Sequence, residues 1–310
     1  MRSPTSLEVE VRPPWPYRLP RGGGGDGAMR IQRGIATRLL HVAGDPIVVR
    51  AWQRRDSSVV VRADPAADAA TRGRLEVAVE RMRFALGVDD DYTDFYAFVR
   101  GDQLVGRAVS RRPWIRPRRR PWPWEALAWA VTEQLIESSR AAVIQRRIVA
   151  RWGPRHDWSP RPLRDVPAAA RIAGRAPAEL AGLDLAPKRA LALVKAAREV
   201  ASGRADLTSG ESDRRLLAIS NIGPWTVQCL GLRGRGDPDA LPAGDLAFVK
   251  LVGRLARLGR RATVEEVEEF FAPYAPFRGL AGSFALNAYH SLVARPQVKL
   301  AARPRWASAA

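Results

Sequence analysis

The chain has 310 residues, 46% of them hydrophobic, enough to bury a core and to exclude a disordered polymer. Lys and Arg number 51 against 32 Asp and Glu, a formal net charge of +19. One cysteine, Cys229, excludes a disulfide framework, a cysteine zinc site and a four-cysteine iron–sulfur cluster. No apolar run is long enough to cross a membrane as a helix and no signal-peptide core opens the chain, so a cytoplasmic protein with no membrane partner is expected.

In chain order, residues 1–28 are rich in Pro and Gly and include Gly22-Gly23-Gly24-Gly25. No Gly-Lys-Ser/Thr follows, so the run reads as a flexible segment and not as a phosphate loop. Residues 47–52 and 59–61 are β-rich runs about the polar turn 54–58, a hairpin. Leu75, Val79, Met82 and Leu86 keep helical spacing up to the stop at Gly87, and Phe95, Phe98, Leu104 and Val105 suggest short helices. Asp89-Asp90-Asp91 reads as a solvated loop, and His41, His156 and His290 lack metal-ligand spacing. Residues 1–118 are therefore expected to form a small mixed α/β domain ending in an Arg-rich strap.

After the strap, strand signals vanish. Pro123 opens a helix through Leu127, Val131 and Leu135, and Ser138 or Ser139 is placed to cap a second one through Ile144, Ile148 and Trp152. Residues 154–167 read as a loop. Pro187 starts a helix ending near Gly203, and Thr263 with Glu266 forms a capping box for a helix toward Phe271. Pro276 starts the last helix, through Leu280, Phe284 and Tyr289. Residues 119–295 are expected to be all-helical and residues 296–310 a tail.

The basic charge is almost all arginine, since only Lys188, Lys195, Lys250 and Lys299 are lysine. It is also clustered. Residues 101–120 hold seven arginines against Asp102 alone, and residues 140–155 hold five with no acid. Clusters suit a phosphate-binding surface better than uniform coding bias does.

The segment richest in chemistry is 216–250, LLAISNIGPWTVQCLGLRGRGDPDALPAGDLAFVK. A short helix meets the turn Ser220-Asn221-Ile222-Gly223, and Pro224-Trp225 begins another. Asn221 tolerates the left-handed region, Gly223 admits a close backbone, and Pro224 suits a first helical position. Such a turn aims unpaired amides outward, which grips a phosphate without reading sequence; it also serves as an ordinary helix–helix turn. Asp245 then stands at the cap position of an apolar helix. As a cap it needs no other role. An ionised aspartate held at a helix start is a poor general acid, but it suits a developing positive charge.

Together the turn "Ile-x-x-Ile-Gly-Pro-Trp-Thr" and the downstream "Leu-Pro-x-x-Asp" resemble the helix-hairpin-helix–Gly/Pro–Asp DNA glycosylase superfamily, most of all its bacterial alkylation-repair type, 3-methyladenine DNA glycosylase II. Residues 119–295 carry the resemblance well, through Gln134-Leu135-Ile136, residues 185–190 and residues 276–281 as well as the hairpin. The resemblance implies a small mixed α/β N-terminal domain followed by an all-α helix-hairpin-helix glycosylase domain. It implies double-stranded DNA with damaged bases as partner, a monomer, and no cofactor beyond a structural monovalent cation.

By the same resemblance, Asp245 is the catalytic aspartate. Trp225 stands where bifunctional members carry a Schiff-base lysine, so the implied enzyme is monofunctional. Trp225 and Cys229 would wall the base pocket, Cys229 replacing a common aromatic. Gln134 and Leu135 would wedge into the DNA. Asn221, Ile222, Gly223 and Thr226 would form the phosphate hairpin, and the carbonyls of Leu217, Ile219 and Ile222 would hold the cation, with no metal ligand among the side chains. An oxidised-purine glycosylase of the same fold and a non-catalytic DNA-binding protein are the alternatives.

Overall fold

The protein is described here from a computed structural model covering residues 6–66 and 71–293. The expected tail at 296–310 lies outside the described residues.

Five antiparallel strands open the chain: β1 (Leu7–Val11), β2 (Met29–Gln32), β3 (Ile35–Val42), β4 (Asp45–Gln53) and β5 (Val59–Pro65). They lie in the order β1-β5-β4-β3-β2. The expected hairpin is β4–β5, with Ala51 opposite Val61. Alternation then does the rest, because successive side chains point to opposite faces. Ile47, Val49 and Ala51 join Val59, Val61 and Ala63 in one core, packed on Leu75, Val79 and Met82 of α1 (Arg72–Leu86). Leu39 and Val48 belong to a separate small cluster with Leu163. The helix α1 stops where expected, at Gly87 in the left-handed region (φ 65°), and Val88 donates back to the Arg83 carbonyl.

The flexible reading of residues 1–28 is corrected over the described part, from residue 6 on. β1 pairs with β5, and Asp26, directly after the glycine run, is buried. Its carboxylate accepts from Arg120 at 2.5 Å and from the Trp129 indole at 2.9 Å. Burial works against the charge, but Arg120 and Arg38 outweigh it and hold the Asp26 carboxyl below the ordinary aspartate range. Around it, Arg38 of β3 pairs with Glu125, and Asp165 accepts from both the amide and the Nδ1 of His41. A buried carboxylate survives only when charges and donors of this kind surround it.

Two short helices, α2 (Thr93–Phe98) and α3 (Val105–Arg111), precede the strap. They do not pack on the sheet. Tyr92, Phe95, Val105 and Ala108 share a core with Phe248, Phe271 and Phe284 from the C-terminal helices. These side chains find their apolar partners in the helical body.

In the acidic run Asp89 and Asp91 are exposed, as expected of a solvated loop, and Asp89 pairs with Arg83 of α1. Asp90 alone turns inward, where it pairs with Arg119 of the strap and accepts from the Tyr92 hydroxyl.

The helical body begins with α4 (Pro123–Glu133), buried along its whole length from Glu125 to Thr132. It stops at Glu133, two residues short of the expected Leu135. The next helix, α5 (Ser138–Trp152), has Glu137 and not a serine at its cap, with no side-chain cap bond. The expected loop at 154–167 contains the small ladder β6 (Arg155–His156) with β7 (Leu163–Arg164). Two helices the periodicity did not announce follow, α6 (Ala169–Ala173) and α7 (Pro177–Ala181), each of five residues and too short for a periodic pattern. Then come α8 (Pro187–Ala201), α9 (Asp213–Leu217) and α10 (Pro224–Leu230), which share one core with α4 and α5. A π-turn (Gly231–Arg235) continues α10, and α11 (Leu246–Leu255), α12 (Val264–Phe271) and α13 (Arg278–Val293) complete the body. Thr263 and Glu266 make the expected capping box, while the last helix starts at Arg278, two residues after Pro276. Among the described residues no helix is long and apolar enough to cross a membrane.

Candidate active site

The turn between α9 and α10 has the expected hairpin geometry. The Ile222 amide donates to the Ile219 carbonyl at 2.9 Å, Asn221 takes the left-handed conformation (φ 69°), and Gly223 caps α10 with Pro224 in its first turn. A Cβ at Gly223 would meet no atom within 4 Å, so open space lies beside this backbone. Ile222 points inward and is buried, while Asn221 is exposed. Thr226 is buried, with its amide bonded to the Gly223 carbonyl. Leu217, one of the proposed cation carbonyls, has an exposed side chain, and Ile219 is buried.

Asp245 is half-buried at the cap of α11, its Oδ1 accepting from the Ala247 amide at 2.8 Å. Its own amide closes a turn onto the Pro242 carbonyl at 2.9 Å. One oxygen is thus fixed by the helix start while the carboxylate keeps a second. Trp225 reaches the same place from α10. A Cβ built on Gly244 would lie 3.7 Å from Trp225 Cβ and 3.9 Å from its Cδ1. The fold therefore lays the tryptophan against the residue preceding Asp245, although nineteen positions separate them. The Trp225 Nε1 is buried and finds no acceptor among the described residues.

Cys229 stands behind Trp225, fully buried, and burial pushes its thiol up to about 12. A thiol that stays protonated is inert as a nucleophile. Next to it, Arg233 of the π-turn pairs with Glu133 at the end of α4, 2.5 Å apart. Desolvation opposes the Arg233 charge, but Cys229, Glu133 and Asp245 together hold its pKa above the ordinary value.

Gln134 and Leu135 follow Glu133 directly. Leu135 is fully exposed at 103% and sits in the left-handed region (φ 54°). That conformation costs an L-residue roughly 1–2 kcal/mol, and an exposed leucine gains nothing back from burial. Gln134 does not share this exposure. Its Nε2 donates to the Asn221 carbonyl at 2.8 Å and to Thr226 Oγ1 at 2.9 Å. The expected wedge and the expected hairpin are in direct contact.

No protein-family model matches the chain. Two sequence relatives and two solved structures stand out. The DNA-3-methyladenine glycosylase of Bacillus subtilis is 25% identical over 214 residues, which are 67% of this chain and 71% of that protein. A Mycobacterium tuberculosis protein named as a probable bifunctional transcriptional activator/DNA repair enzyme is 30% identical over 214 residues. The chain spans only 42% of that protein's length. The 3-methyladenine DNA glycosylase of Archaeoglobus fulgidus superposes with a TM-score of 0.77 at 20% identity, over 93% of this chain and 99% of that one.

The chain is similar in sequence and in fold to 3-methyladenine DNA glycosylases. The same fold recurs in the Schizosaccharomyces pombe 3-methyladenine DNA glycosylase bound to abasic DNA, with a TM-score of 0.52 at 23% identity, over 67% of this chain and all of that one. The A. fulgidus superposition extends across the N-terminal sheet, so the sheet belongs to the glycosylase architecture. Within it, sequence reasoning missed Arg233, Glu133 and Arg189. Arg189 donates from Nη1 to the carbonyls of Gln134 at 2.8 Å and Thr132 at 3.3 Å. Nothing local marks these three, because each acts across 55 to 100 positions of sequence.

Proposed function

We propose that this protein is a monofunctional DNA glycosylase that hydrolyses the N-glycosidic bond of alkylated, cationic purines in duplex DNA, as an early step of base excision repair. The reading includes a monomer acting in the cytoplasm. The observation that carries it is the junction of Asp245 and Trp225: a carboxylate anchored by one oxygen to the start of α11, with an indole laid against its neighbour Gly244.

The chemistry follows from that junction. A target base must first leave the stack, and a damaged, poorly paired base lowers the cost. As the base departs, C1′ becomes oxocarbenium-like, and the Asp245 carboxylate stabilises that charge. Water then adds at C1′ and its proton passes to solvent. A cationic N3-alkyladenine or N7-alkylguanine leaves as a neutral base, so no general acid is required. The Trp225 face attracts such a base by about 0.5–2 kcal/mol. With no lysine at position 225, no Schiff base forms there and the strand is left uncut.

The hairpin grips the backbone. The carbonyls of Leu217, Ile219 and Ile222 would hold a monovalent cation that offsets the phosphate charge. The Ile219 carbonyl already accepts from the Ile222 amide, and a carbonyl's second lone pair leaves it able to serve. Abasic-site formation on a duplex carrying N7-methylguanine, beside one carrying 8-oxoguanine, tests the reading. Release from the first alone supports it. Release from the second alone favours the oxidised-purine alternative, and release from neither favours a DNA-binding protein.

A further inference from the structure

From the contacts around the α4–α5 turn we infer that Gln134 and Arg189 are positioning residues, which lock the Leu135 turn onto the hairpin so that phosphate grip and base-stack entry are one rigid act. The inference rests on the glycosylase reading above.

Four residues connect α4 to α5, and the turn is held from outside. Below it, Arg189 from α8 takes the Gln134 and Thr132 carbonyls, the end of α4, with charge-assisted hydrogen bonds. Beside it, the Gln134 amide bridges to the Asn221 carbonyl and the Thr226 hydroxyl. Thr132 is fixed in turn by Gln145, which donates to its hydroxyl at 2.9 Å. The ion pair of Glu133 with Arg233 closes the fourth side. Leu135 alone is left without protein contacts, in a conformation that its neighbours impose.

This arrangement assigns different tasks to Gln134 and Leu135. The Gln134 side chain is committed to Asn221, the left-handed residue of the phosphate hairpin. Moving the wedge moves the hairpin, and docking the hairpin on a phosphate sets the depth of the wedge. Backbone strain at an exposed apolar residue persists only where its surroundings over-determine it, and Gln134 and Arg189 supply that constraint.

The test uses the full chain, Gln134→Ala, Arg189→Ala and Arg189→Lys. Base unstacking is read from 2-aminopurine fluorescence beside a tetrahydrofuran abasic-site analogue, at saturating protein. Gln134→Ala and Arg189→Ala should lose most of the wild-type brightening, and Arg189→Lys, which keeps a charged donor, should regain part of it. Single-turnover release of N7-methylguanine should fall by about tenfold in a fully paired duplex, the order expected when the charged bonds of Arg189 or the two neutral ones of the Gln134 amide are lost. Release from a single-nucleotide bulge, where the base is already unpaired, should fall much less. Wild-type brightening in both alanine variants, or equal losses on paired and bulged DNA, would overturn the assignment. The fluorescence needs no base release. A wild-type protein that brightens the probe but frees no base would therefore reject the glycosylase reading and leave this one standing.

Discussion

Arg38 of the N-terminal sheet and Glu125 of α4 meet side by side, Nη1 to Oε1 at 3.3 Å and Nη2 to Oε2 at 2.5 Å, with both side chains buried. The pair joins the sheet to the first helix of the glycosylase body, and Arg120, Asp26 and Asp165 extend it into a charged network. Removing one partner leaves the others buried and uncompensated. Arg38→Ala should lower unfolding free energy by about 3–5 kcal/mol in urea titration. A loss below about 1 kcal/mol, the range of a surface pair, would mean that the network is solvated and holds nothing together.

Leu135 makes a contrasting case. An exposed leucine has no core to leave, so Leu135→Ala should stay within about 0.5 kcal/mol of wild-type stability. Its cost should fall on lesion excision, because the unstacked duplex loses the side chain that fills the gap. A marked fall in melting temperature with normal single-turnover chemistry would reject the wedge.

Much of this was legible locally. Proline at 123, 187 and 224, the Thr263–Glu266 box and the Gly87 stop each mark a helix end through one residue's own geometry. Asn221 and Asp245 were legible for the same reason, one by its tolerance of positive φ and the other by its cap position. The long-range parts were hidden. A glycine run looks flexible until Asp26 meets Arg120, and Arg189 looks like a surface arginine until it reaches Gln134. The strap was legible only in part. Its composition suggested a phosphate surface, yet Arg112, Arg116, Arg119 and Arg120 are committed to Asn287, Tyr92, Asp90 and Asp26.

Those commitments bear on DNA affinity. Binding to undamaged duplex should weaken with salt, with a log–log slope of about −0.9 per phosphate neutralised. Since four strap arginines are engaged within the protein, the slope should be far shallower than the +19 net charge suggests. A flat response, measured by fluorescence anisotropy across a salt series, would mean that the charge forms no DNA surface.

The hairpin predicts a negative result for strand cleavage. Trp225 stands beside the Asp245 loop, and an indole forms no Schiff base. Borohydride added during turnover should trap no protein–DNA adduct, and product strands should break only after alkali. A borohydride-stable adduct on a denaturing gel would show that another amine reaches C1′ and that the enzyme is bifunctional.

The most direct measurement is single-turnover release of N7-methylguanine by Asp245→Asn. The amide keeps an oxygen to accept from the Ala247 amide, so the helix cap survives, while the charge that stabilises the oxocarbenium centre is gone. Release should fall by about a hundredfold or more, the order seen when a single electrostatic stabiliser is removed, with abasic-DNA binding retained. Wild-type turnover in Asp245→Asn would contradict the account and leave Asp245 as a helix cap alone.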